Sequence, residues 1–144
     1  MKPDNILVSF ESKIKIADFG AARYAAKEYC VTTTKCGTFG YMAPEYLNYG
    51  LDSTKIDTWA LGVIAYLIIT GCFPFEDSDP LNDLSNLNLS IIENQNAKWL
   101  IEKVCFYLLI VEISIFKFIL KLLKFEPRER IDLEQVLKSN WILK

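Results

Sequence analysis

Histidine is absent from all 144 residues. That absence removes Ser-His-Asp and Cys-His nucleophilic sites, the His-Glu-x-x-His metal site and every imidazole acid–base mechanism. Chemistry, if present, must use carboxylates, amides, lysine and a metal held by oxygen. Basic clusters are also missing, and a net charge of -2 gives no electrostatic footprint for nucleic acid. The four cysteines (Cys30, Cys36, Cys72, Cys105) form no C-x-x-C pair and no dense framework, which fits reduced thiols in an intracellular protein, cytoplasmic or nuclear. The opening Met-Lys-Pro-Asp-Asn lacks the apolar run of a secretory leader, so none is expected.

What the chain does have is apolar mass. With 51% hydrophobic and 24% charged residues it can build one domain with a real core, and disorder is disfavoured. Residues 56–70 are apolar on every side of a helical wheel, with Asp57, Thr58, Gly62 and Thr70 departing. The pattern predicts a helix surrounded by other protein, bounded by Ser53-Thr54 before and Gly71 after. A strand fits the β-formers of 63–69 less well over this length. A membrane span is disfavoured because Gly71 and Pro74 cut the uncharged run short of the ~20 residues a bilayer needs. Asp57 in the first turn of such a helix is expected to be bonded, either to backbone donors of its own helix or to amides of another segment.

Near the start, residues 5–8 and 13–17 read as two short strands, the second alternating Lys-Ile-Lys-Ile. In an antiparallel hairpin turning at Glu11 and Ser12, Asn5 faces Asp18, give or take one position. An amide and a carboxylate then meet at the open end, before Phe19-Gly20. Two oxygens of this kind suit Mg²⁺, which keeps sites for water and phosphate, and Lys2 can add a positive charge toward that phosphate. The alternative is that Asp18 caps a turn and Asn5 merely starts a strand. Residues 21–36 form a polar connector with no period, longer than most loops, in which Thr32, Thr33 and Thr34 are exposed hydroxyls open to phosphorylation or simply solvated chain. Gly37-Thr38-Phe39-Gly40 is turn-like, and Ala43-Pro44-Glu45 opens a short helix with an acid in its first turn.

Lys2-Pro3-Asp4-Asn5, Ala17-Asp18-Phe19-Gly20, Gly37-Thr38, Ala43-Pro44-Glu45 and Asp57-x-Trp59-x-Leu61-Gly62, in this order and spacing, resemble the C-terminal lobe of eukaryotic protein kinases. The resemblance runs from residue 1 to about Phe75 and resumes over 113–144, where Leu122-Leu123-x-x-Glu126-Pro127-x-x-Arg130 looks like the family's closing segment. Lys2 and Gly37-Thr38 resemble the serine/threonine branch, and the body of the match is similar to calcium/calmodulin-dependent and related kinases.

The resemblance implies a mainly α fold with a short β-hairpin, a kinase-like C-terminal lobe with the small lobe absent. It implies ATP and Mg²⁺ as cofactors and a protein substrate as partner in the complete kinase. Asn5 and Asp18 would hold the metal ions, and Lys2 would face the transferring phosphate. Phe19, with Gly20, would set the active or inactive state. Thr34, eleven residues before Glu45, would be the phosphorylated position, and Thr38 would lie in the same activation segment. Glu45 would pair with Arg130, and Asp57 beside Trp59 would hold the catalytic-loop backbone upstream of Lys2.

Departures carry their own implications. The family's loop reads His-Arg-Asp, one residue, then Lys, and Met1 stands in the one-residue place. The catalytic aspartate is thus missing by one position, and no Gly-rich loop, strand lysine or helix glutamate is present. Phe39 replaces the family's proline in a segment that shapes substrate choice, and Glu126 replaces an aspartate.

Beyond Phe75, Asp79-Pro80 reads as cap and first residue of a helix carrying Leu81, Leu84, Leu87 and Ile91. Residues 82–96 are Asn-rich, and 82–111 read as a divergent or inserted region within a partial kinase domain spanning 1–144. The apolar stretch 104–123 is interrupted by Glu112, Lys117 and Lys121, which disfavours a membrane span. With Lys117, Lys121 and Lys124 on one face and Ile115, Phe118, Ile119 and Leu122 on another, it predicts an amphipathic helix against a core. Asp132 with Gln135 predicts a capping box for a last helix. Three functions follow in order: a piece of a serine/threonine kinase, inactive as this chain; a non-catalytic half-domain binding a kinase or regulatory protein around 37–45; and a membrane-associated helical protein.

Overall fold

The computed structural model describes residues 1–24, 30–32, 35–75 and 108–139. A 3-10 turn, Pro3–Asn5, leads into β1 (Ile6–Val8), which pairs antiparallel with β2 (Ile14–Ile16). The connecting Phe10-Glu11-Ser12 is an odd-numbered loop in which Ser12 takes a left-handed backbone, φ 58°, and Ser9 N donates to Lys13 O at 2.9 Å. Turning at Glu11 alone sets Ile6 opposite Ile16. Asn5 therefore faces Ala17, one position from the Asp18 that the sequence favoured and inside its stated margin.

β3 (Cys30–Val31) and β4 (Leu51–Asp52) form a second two-stranded ladder that the sequence did not announce, since neither strand is long enough to alternate. Between them lie the 3-10 turn Phe39–Tyr41 and α1 (Pro44–Tyr49), which starts on proline and ends at Gly50 in a left-handed cap. α2 (Lys55–Thr70) is the long helix expected over 56–70. Ser53, buried, accepts from Lys55 N at 3.2 Å and caps it, while the preceding Thr54 makes no side-chain cap bond.

α3 (Leu108–Leu122) packs across α2 at Gly62, where an added Cβ would fall 2.8 Å from Leu122 Cβ and 2.8 Å from Leu123 Cδ2. Only a glycine admits that approach. Trp59, Val63 and Tyr66 of α2 meet Ile119, Leu123, Ala43 and Tyr46 in the main core, and Phe75 stacks on Trp59 at 5.4 Å. A smaller cluster of Phe118, Leu122 and Val136 joins α3 to α4 (Leu133–Leu137), whose capping box is present: Gln135 N donates to Asp132 Oδ1 and Asp132 N to Gln135 Oε1.

The lysine face of α3 is exposed at Lys117 and Lys121, and the face with Phe118, Ile119 and Leu122 is buried, as the amphipathic pattern requires. Among the described residues no helix is long and apolar enough to cross a membrane. Two expectations for α2 need correction. Its burial is incomplete, for past the crossing at Gly62 the last turn leaves Ile68 76% exposed among the described residues. Asp57 is exposed and joins no hydrogen bond or ion pair with another described residue, so the bonded carboxylate expected in its first turn is not formed there. The helix expected at Asp79-Pro80 and most of the 82–111 region lie outside the described residues; residues 108–111 belong to α3.

Candidate phosphate-transfer site and activation segment

The first β-ladder brings two oxygen-bearing side chains together. Ala17 N donates to Asn5 O at 2.8 Å, so the ladder continues one step past β1 and β2 and sets Asp18 just beyond Asn5. Asp18 then takes a left-handed backbone, φ 59°, a conformation aspartate adopts more readily than most residues. Its Oδ1 accepts from Gly20 N at 3.3 Å and its Oδ2 accepts a long bond from Asn5 Nδ2 at 3.5 Å. Half a turn of the Asn5 amide would present its oxygen instead of its nitrogen to the same space. Asp18 is exposed and Asn5 and Lys2 half-buried, so the pair opens to solvent. Among the described residues no three acidic or thiol side chains cluster as a preformed metal cage. One carboxylate and one amide oxygen fit Mg²⁺, which binds through few protein oxygens and fills its octahedron with water and phosphate. Phe19 is 68% exposed beside them.

Glu45 and Arg130, 85 positions apart, form a buried bidentate pair, Nη1 to Oε1 at 2.6 Å and Nη2 to Oε2 at 2.9 Å. Arg130 spends its other donors on carbonyls, Nε to Lys124 O at 2.9 Å, Nη1 to Lys55 O at 2.9 Å and Nη2 to Phe125 O at 3.3 Å. All five N–H groups are satisfied, the guanidinium lies 4.9 Å from the Trp59 ring, and Lys55 Nζ returns a bond to Arg130 O. The pair locks α1, the start of α2 and the chain after α3 into one register.

Thr38 precedes the 3-10 turn and accepts from Tyr41 N at 3.1 Å. Thr34 lies outside the described residues. Its flanks are held by contacts that the sequence reading missed. Arg23 Nη1 donates to Thr32 Oγ1 at 2.5 Å and stands 3.9 Å from Asp52 Oδ2, Lys35 Nζ donates to Leu47 O at 2.5 Å, and Cys36 N donates to Tyr46 Oη at 3.0 Å. Arg23 and Lys35 lie in a connector with no period and Tyr46 in a helix of six residues, so no periodicity could have exposed these bonds. Burial raises the Tyr46 phenol above its ordinary value.

The model of the protein kinase domain matches residues 1–142, and the chain belongs to that family, among the eukaryotic serine/threonine kinases. It is 34% identical over 143 residues to the serine/threonine-protein kinase kin-29 of Caenorhabditis briggsae, covering 99% of this chain and 16% of that protein. It is 32% identical over 150 residues to Aurora kinase of Schizosaccharomyces pombe, all of this chain and 37% of the relative. It is 33% identical over 145 residues to CBL-interacting protein kinase 24 of Oryza sativa subsp. japonica, all of this chain and 29% of the relative. The chain therefore spans well under half of each of these relatives' length.

Proposed function

We propose that residues 1–144 form the C-terminal lobe of a serine/threonine kinase domain that, when complete, transfers phosphate from Mg-ATP to protein serine or threonine. The observation that carries this reading is the approach of Asn5 to Asp18 at the open end of the hairpin. In the reading, Asn5 and Asp18 hold Mg²⁺, whose charge supplies electrostatic stabilisation of the transferring phosphoryl group. Lys2 faces that phosphate as a point charge. Phe19 and Gly20 set the turn that presents Asp18, and Thr34 is the residue whose phosphorylation orders the segment leading to Thr38. Glu45 and Arg130 keep the substrate-shaping turn seated on the helices. Asp57 and Trp59 lie at the start of the central helix, where Asp57 would grip a catalytic loop ahead of Lys2. Residues 82–111 are a divergent insertion, and the setting is intracellular, cytoplasmic or nuclear.

Residues 1–144 on their own contain no Gly-rich loop and no aspartate ahead of Lys2, so the polypeptide alone should transfer no phosphate. The test is a chimera in which the small lobe and catalytic loop of a serine/threonine kinase precede residue 1. Phosphate transfer to a serine peptide, abolished by Asp18→Asn, is the expected result. A folded chimera without transfer, or transfer that survives Asp18→Asn, would refute the reading.

A further inference from the structure

Residues 30–32 and 35–36 lie along the corner formed by α1 and β4, held there by that corner's own backbone, by one phenol and by Arg23, which donates from Nη1 to Thr32 Oγ1 at 2.5 Å and from Nη2 to Cys36 Sγ at 3.8 Å. Cys30 pairs with Asp52 and Val31 with Leu51, and Thr32 N donates to Gly50 O at 2.8 Å. Gly50 is in the left-handed region at φ 63°, and a Cβ there would lie 2.7 Å from Thr32 O, so the chain can approach this closely only because position 50 has no side chain. Lys35 Nζ reaches Leu47 O. Tyr46 completes the set. Its ring belongs to the main core, 5% exposed, while its hydroxyl emerges at the edge of the core to accept from Cys36 N at 3.0 Å, with Cys36 O at 3.5 Å and Cys36 Sγ at 3.8 Å.

Cys36 immediately precedes Gly37-Thr38, and the far end of that turn is seated separately. Tyr41 meets the Phe73 ring edge-on at 5.2 Å, and Gly40 leaves no room for a Cβ, which would fall 2.9 Å from Phe73 Cε1. The turn 37–41 is thus suspended between two fixed points, the hydroxyl of Tyr46 and the ring of Phe73. We infer that Tyr46 is a positioning residue: its hydroxyl, anchored through a ring in the core, fixes Cys36 and with it the start of the turn that meets the peptide substrate. A phenol suits the task because one oxygen both accepts from the amide and donates to the carbonyl of the same residue, while the ring loses little freedom on burial. No phosphate is needed for this anchoring, so the 36–41 turn keeps its seat whether or not a neighbouring threonine is modified. The link to peptide substrate rests on the kinase reading; the anchoring itself does not.

The test uses the whole 144-residue chain and its Tyr46→Phe variant, which keeps the ring and removes the oxygen. Amide exchange at Cys36, followed by NMR, should accelerate about tenfold or more, the effect of one lost hydrogen bond, with the Cys36 amide proton shifting upfield. Exchange at Val63 serves as the reference for global opening, so any general loss of stability is separated from the local one. Native alkylation, mapped by mass spectrometry, should speed at Cys36 relative to Cys72, both of which are exposed free thiols. An unchanged ratio of Cys36 to Val63 exchange, with unchanged Cys36 alkylation, would overturn the inference. Failure of the kinase reading would instead appear as an inactive wild-type chimera, which leaves the exchange result standing.

Discussion

Arg130 has no spare donor, and its partner Glu45 is 4% exposed, so the two cannot be altered one at a time without stranding buried charge. Arg130→Leu should cost about 3–5 kcal/mol in urea unfolding, because a buried carboxylate is left unpaired. Arg130→Lys should recover little of this, since an ammonium cannot make the bidentate fork. Removing the exposed Lys138–Glu134 pair should leave the midpoint unchanged. Tyr66 carries the opposite kind of burden. It is 2% exposed, and its hydroxyl has no hydrogen-bond partner among the described residues. Burial, with Cys72 adding, pushes its phenol up to about 12 from an ordinary 10.0. Between those values the unfolded chain gives up the proton and the folded chain keeps it, so stability present below pH 10 falls as pH rises toward 12. Tyr66→Phe should raise stability by roughly 1 kcal/mol at neutral pH and flatten that alkaline fall. Equal pH profiles for the two proteins would contradict this assignment. Neither residue's environment could be read from its neighbours in sequence: Glu45 and Arg130 were linked only through the motif resemblance, and Tyr66 looked like any aromatic in an apolar helix.

At the scale of elements, the crossing of α2 and α3 depends on one missing side chain. Gly62→Ala gains up to about 1 kcal/mol of helix propensity but drives a methyl to 2.8 Å from two leucine carbons. The net should be a loss of about 1–3 kcal/mol, measured by thermal or urea unfolding; a more stable variant would show that the helices separate without cost. Both helices were legible because their apolar runs exceed two turns, α2 bounded by Ser53-Thr54 and Gly71 and α3 marked by lysines along one face. The hairpin was legible from alternation, yet its register came out one residue away because Phe10-Glu11-Ser12 is a three-residue loop, and loop parity leaves no mark in composition. The β3–β4 ladder was invisible, with two residues in each strand and a partner twenty positions away. The Asn5–Asp18 approach was anticipated from pairing arithmetic, whereas the seat of Cys36 on Tyr46 was not, since a phenol buried by its ring gives no sign of where its oxygen emerges.

For the molecule as a whole, the apolar surface is divided unequally. The helices share a core around Trp59, while the hairpin turns Phe10, Val8 and Ile14 outward, each at least 67% exposed. Patches of this kind on an isolated chain should bind an apolar dye and favour aggregation, and unfolding should be broad. A sharp, high-temperature transition without dye binding would contradict that expectation. The exposed end of the hairpin is also where Asn5 and Asp18 meet, so the most direct measurement is made there. Mn²⁺ added with ATP, as a paramagnetic stand-in for Mg²⁺, should broaden the amide signals of Asn5 and of residues 18–20 first, and Asp18→Asn should abolish the effect. Broadening centred on other acids such as Asp52 or Glu126, or persisting in Asp18→Asn, would contradict the magnesium seat.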